Sequence, residues 1–82
     1  ASPYVTIAQA KSASGDRLHL AGDLVKDSTK TDIYSRVLSF RIKDAQGDVV
    51  TVHHHGEKPA NMQKATKIVA VGKMEGDVFR SD

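Results

Sequence analysis

Strict alternation of apolar and polar side chains begins at Leu18. Leu18, Leu20 and Leu24 fall on one face of an extended segment with Gly22 in the same register, while Arg17, His19 and Asp23 take the other face. A glycine inside such a run marks a bulge or a sharp bend, as at a barrel corner. The polar stretch 27–32 reads as an exposed loop. Leu38, Phe40 and Ile42 then alternate with Ser39, Arg41 and Lys43 in the clearest strand of the chain. Asp44-Ala45-Gln46-Gly47-Asp48 turns it, with Gly47 free to take a positive φ. In the next strand Val50, Val52 and His54 share one face, and Val49, Thr51, His53 and His55 the other. Together these two runs predict a hairpin.

Gly56 and Pro59 end that hairpin. The stretch 60–65 can form a short helical connection with Met62 and Ala65 on one side. Ile68, Ala70 and Gly72 alternate with Val69 and Val71, and apolar residues on both faces predict a strand buried on both sides. Glu75-Gly76-Asp77 makes a turn into a fifth strand at Val78 and Phe79. Ahead of all this, Thr6 with Gln9 three residues on has capping-box spacing and predicts a short helix that ends by Ser14-Gly15-Asp16. The pattern divides the chain into a lead-in with its short N-terminal helix over 1–16 and a barrel over 17–82. A bent first strand and a helix between the third and fourth strands suit an all-β, five-stranded OB-type Greek-key barrel, in which closure removes exposed sheet edges.

Composition narrows the classes of function more than it selects one. At 82 residues with 39% hydrophobic side chains the chain makes one small domain. Cysteine is absent, which excludes disulfides and thiol chemistry within this sequence. No run approaches the ~18–20 apolar residues of a membrane-spanning helix. Ala1-Ser2-Pro3 at one end and Ser81-Asp82 at the other read as the cut ends of an excised soluble domain, with anchors and tails lying outside it. Twelve Lys and Arg against ten Asp and Glu leave a net charge of +2, mixed in sign along the chain. That balance does not suggest nucleic acid. Single-strand binding by an OB barrel also needs aromatic stacking platforms, and only Tyr4, Tyr34, Phe40 and Phe79 are available. No nucleic-acid partner is expected.

The candidate chemistry centres on His53-His54-His55. Strand geometry puts His53 and His55 on one face and His54 on the core side. Two imidazoles fall short of a zinc site, and His19 completes one only if its strand lies alongside. An outward His pair plus one half-buried His with a satisfied ring is the plainer reading, and no resident metal site is expected. Ser28, Thr29 and Thr31 sit in a polar loop, where no nucleophile is activated. Asp16, Asp27, Asp44, Asp48 and Asp77 fall in turns and suit bonding to their own backbone. No enzyme active site follows from these residues.

Several segments, taken in order, resemble a known family. The run Leu18 to Leu24 with Gly22, the run Val37-Leu38-Ser39-Phe40-Arg41-Ile42-Lys43-Asp44, and Val50 to Gly56 with Pro59 come first. Ile68-Val69-Ala70-Val71-Gly72 and Gly76-Asp77-Val78-Phe79-Arg80-Ser81-Asp82 complete the pattern. Over roughly 17–82 this is similar to cytochrome c maturation protein E, the CcmE heme chaperones. The resemblance implies an OB-type barrel anchored on the periplasmic side of the cytoplasmic membrane. It implies heme as transient cargo, received from heme-delivery membrane proteins and passed to the apocytochrome-ligation machinery. It also implies covalent heme attachment through a His or Cys on a tail beyond Asp82, with a Tyr a few residues later as axial ligand, so this chain without that tail is not expected to hold heme itself. Two departures stand out: His54 occupies a position usually aromatic in the family, and Gly56-Glu57-Lys58-Pro59 is more polar than usual. On the barrel the candidate heme contacts are His53, His54, His55 and Phe79. The alternatives are a generic OB module for nucleic acid, saccharide or protein, and a His-based metal binder.

Overall fold

The computed structural model describes residues 4–60 and 62–82. Ala1-Ser2-Pro3 lies outside the described residues, as does Asn61 within the expected 60–65 connection. In chain order the elements are helix α1 (Ile7–Ser12) and strands β1 (Leu18–Leu24), β2 (Lys30–Asp32), β3 (Val37–Lys43) and β4 (Val49–His55). A 3-10 turn (Met62–Lys64) follows, then β5 (Lys67–Glu75) and β6 (Val78–Ser81). The strands form one sheet in the order β1-β5-β6-β4-β3-β2, and a further β1–β3 pairing closes five of them into a barrel. All ladders are antiparallel except β4 with β6. The all-β closed barrel is consistent with an OB-type fold.

Three expectations change. Lys30–Asp32 is a short sixth strand on the edge of β3, not a loop. All three of its residues are exposed, so no apolar period announced it. The connection between the hairpin and β5 is a single 3-10 turn instead of a helix, closed by Ala65 N–H donating to the Met62 carbonyl at 3.2 Å. The strand at 67–75 is also not buried on both sides. Val69 is 50% exposed, because the barrel wall is one layer thick and its outer face meets water.

The interior is filled by the predicted faces. Leu20, Ile42, Val52 and Phe79 are fully enclosed, and Leu38, Phe40, Val50 and Ala70 complete the packing. Each of these leucine, isoleucine, valine and phenylalanine side chains contributes about 1.5–3 kcal/mol on burial. Helix α1 plugs one end. Thr6 caps it, its hydroxyl accepting from Gln9 N–H at 3.1 Å while Gln9 Oε1 accepts from Thr6 N–H at 2.8 Å. The helix sends Ile7 and Ala10 into the same core. Closure depends on β1 turning from β5 to β3 at Gly22. A Cβ there would sit 2.5 Å from the Lys43 carbonyl oxygen, so only glycine lets the two backbones meet.

Asp44 fastens the helix to the barrel. Its Oδ1 accepts from Gln46 and Asp48 N–H, both at 3.0 Å, inside its own turn. Its Oδ2 accepts from Ile7 N–H at 2.9 Å, 37 residues away. The first amide groups of a helix have no partner within it, and a buried carboxylate supplies one here. Asp44→Ala is expected to destabilise the domain by about 2–3 kcal/mol, since it strands a buried N–H and removes charge-assisted bonds. The urea midpoint reads this directly. A change below about 0.5 kcal/mol, the size of an ordinary surface effect, would show that the helix is held by packing alone.

Candidate functional site

The ladders show where the barrel wall is incomplete. β6 runs beside β5 from Val78 opposite Glu75 to Ser81 opposite Gly72, and no β6 residue lies opposite Ile68–Val71. β4 follows β6 as far as His54 opposite Ser81. Beyond that point β4 and β5 diverge, and Pro59, Ala60, Met62 and Ala65 border the gap. The result is an open groove of about 370 Å³. Phe40, Pro59, Met62, Ile68, Val69 and Val71 supply much of its lining, and His54, Ser81 and Asp82 its polar edge.

Among the described residues His54 is the one histidine lining this groove. It follows Val50 and Val52 on the inward face of β4, as alternation predicts, but at the strand end it meets the groove and is half-buried. Its Nε2 lies 3.1 Å from the Glu57 carbonyl oxygen and its Nδ1 lies 3.4 Å from Ser81 Oγ. Because a carbonyl only accepts, Nε2 carries the proton and donates it to Glu57. Ser81 is itself buried, held in register by the parallel β4–β6 ladder. That partnership was not legible locally, since it links positions 27 residues apart.

The other candidates separate. His53 faces outward between Ser39 on β3 and Arg80 on β6, and His55 lies opposite Val37, both half-buried. His19 is on β1, whose neighbours are β5 and β3, so it does not join the pair on β4. Its ring packs instead on Tyr4, with centroids 5.2 Å apart. No group of three His, Asp or Glu side chains among the described residues is placed to hold a metal ion. Phe79 is not on the surface: it is 0% exposed in the barrel interior, paired with Val52 and Met74 in the ladders. An aromatic at the centre of a short strand in a closed barrel points where the core needs volume. Arg80 carries ion pairs with Asp82 at 3.5 Å and Glu75 at 3.9 Å, the behaviour of a surface charge.

The polar loop also holds more order than its composition suggests. Ser28 is buried, its hydroxyl donating to the Val25 carbonyl at 2.6 Å and accepting from Arg41 N–H at 3.0 Å. It secures the path from β1 to β2 and has no base beside it. Asp32 accepts from Ser35 N–H at 3.2 Å and Tyr34 N–H at 3.0 Å, which holds its exposed carboxyl below the usual carboxylate range. Among the described residues no helix is long and apolar enough to cross a membrane.

What the site can do chemically is limited and definite. An apolar groove open to solvent, with one imidazole at its edge, suits holding an apolar molecule. Among curated proteins none matches the chain. The family model for the CcmE domain, however, matches residues 2–82, which takes in the N-terminal helix as well as the barrel. The chain therefore belongs to the CcmE domain family, a family of heme chaperones of cytochrome c maturation.

Proposed function

We propose that this domain carries heme at the periplasmic face of the cytoplasmic membrane, between membrane proteins that deliver heme and those that ligate it to apocytochrome c. The barrel presents a surface and performs no turnover chemistry. The groove between β4, β5 and the side chains of Pro59, Met62 and Ala65 shields part of one porphyrin face, with His54 at its edge and His53 and His55 on the neighbouring outer wall. The covalent link to the cargo belongs to a His or Cys on a tail after Asp82. Asp82 itself lies on the groove, so a chain continuing from it would leave beside the bound plate. An open site of this kind suits a carrier, since cargo that is only partly enclosed can be handed on.

The observation that carries this reading is the apolar groove in a member of a heme-chaperone family. Val69 gives the test, because it is half-exposed and lines the groove, so a charge there need not disturb the core. Hemin titration of the wild-type domain should show saturable binding. Val69→Glu should weaken it at least about tenfold, equivalent to 1.4 kcal/mol, with the urea midpoint unchanged. Ile33→Glu, on the β2–β3 turn outside the groove, should bind as the wild type does. Equal affinity in all three proteins would place the cargo elsewhere.

A further inference from the structure

We propose that His54 is an axial ligand which the barrel itself offers to the heme iron, released for that purpose from the Glu57 carbonyl. The inference rests on the heme-carrier reading and adds a specific bond to it.

Three observations converge. First, His54 is the one imidazole on an otherwise mainly apolar groove, so a plate seated there meets a single strong iron donor. Second, the ring is held by an exchangeable contact. Nε2–H donates to Glu57 O at 3.1 Å, and Glu57 is exposed, so its carbonyl can turn to water when the imidazole leaves. Third, an acceptor for the opposite ring nitrogen is already in place. Ser81 Oγ lies 3.4 Å from Nδ1, longer than an ordinary N–H···O bond, on a buried side chain fixed by the β4–β6 ladder.

The exchange needs no net proton: solvent takes the hydrogen from Nε2 and returns one to Nδ1. In the resting ring Nε2 bears the hydrogen and Nδ1 accepts from the Ser81 hydroxyl. In the liganded ring the hydrogen resides on Nδ1 and is donated to Ser81 Oγ. The Nε2 lone pair forms the bond to iron, and the Ser81 hydroxyl turns its own hydrogen away. One hydrogen bond to Glu57 breaks and one coordinate bond forms. Ligating histidines ordinarily donate their second nitrogen to such a partner, which fixes the ring and raises its basicity. His53 and His55 lie on the other face of β4 and lack this arrangement.

The test is spectroscopic and uses ferric hemin on the domain. Wild type should give the electronic and electron paramagnetic resonance signature of nitrogen-ligated heme. His54→Ala and His54→Gln should both lose it, and the glutamine variant can keep a hydrogen bond to Glu57, so loss there is not a folding effect. Added imidazole should restore the signature in His54→Ala, while His53→Ala and His55→Ala should retain it unaided. Persistence of the signature in both His54 variants, or a wild-type domain that shows none, would overturn the assignment. If hemin binding still depends on Val69 in that case, the carrier reading stands and only the ligand falls. If the wild-type domain binds no hemin, both fall for this barrel.

Discussion

Gly72→Ala is expected to cost the domain at least about 4 kcal/mol, a large share of the roughly 4–12 kcal/mol typical of a domain this size. Gly72 sits in β5 between Leu18 of β1 and Ser81 of β6, where the barrel is tightest. A Cβ at this position would overlap the Arg80 carbonyl and crowd the Ser81 Cα. The obstruction is the backbone of β6, so no side-chain rotamer relieves it. The β5–β6 ladder would have to part, and it is the ladder that carries Phe79 into the core and Ser81 to His54. Gly76→Ala is the instructive contrast. Gly76 has φ +64 with nothing near its missing side chain, so alanine there costs only the backbone term of about 1–2 kcal/mol. Urea unfolding of both variants should reproduce that order. If Gly72→Ala were the milder of the two, the tight packing of β5 against β6 would be wrong.

Phe79→Ala should cost about 3–5 kcal/mol, the usual range for removing a fully enclosed phenylalanine. Phe79 is the largest of the fully buried side chains and stands where β4, β6 and β5 meet through Val52 and Met74. The same variant separates packing from cargo contact. Per folded molecule, at low temperature or with a stabilising osmolyte, its hemin affinity should match the wild type. A large loss of affinity with a small loss of stability would return Phe79 to the binding surface.

Alternation along Leu38-Phe40-Ile42 and Val50-Val52 made the central hairpin legible, because one face of each strand must fill the core and the other meets water. The capping box at Thr6 and Gln9 was legible for a comparable reason: both halves of the motif lie within four residues. Features set by distant contacts were not. Asp44 reads as a turn residue, and its bond to Ile7 depends on where the helix docks. β2 has no apolar face to betray it, since it borders β3 with all its residues exposed. Val69 and Val71 look like a doubly buried strand, yet a single-walled barrel leaves Val69 in solvent. Counting along the strand puts His54 on the inward face. That inward also means beside Ser81, beneath Glu57 and on a groove followed only from the parallel pairing of β4 with β6. Phe79 shows the converse, a residue whose family position drew attention but whose burial gives it to the core.

A porphyrin without paramagnetic iron maps the cargo surface most directly. Titrating gallium protoporphyrin into isotopically labelled domain and following backbone amide shifts should move Glu57, Ala60, Met62, Val69, Val71 and Ser81 together, and leave the β2–β3 turn at Ile33 and Tyr34 still. Shifts clustered away from that set, or none at all at millimolar porphyrin, would contradict a heme-presenting groove on this barrel.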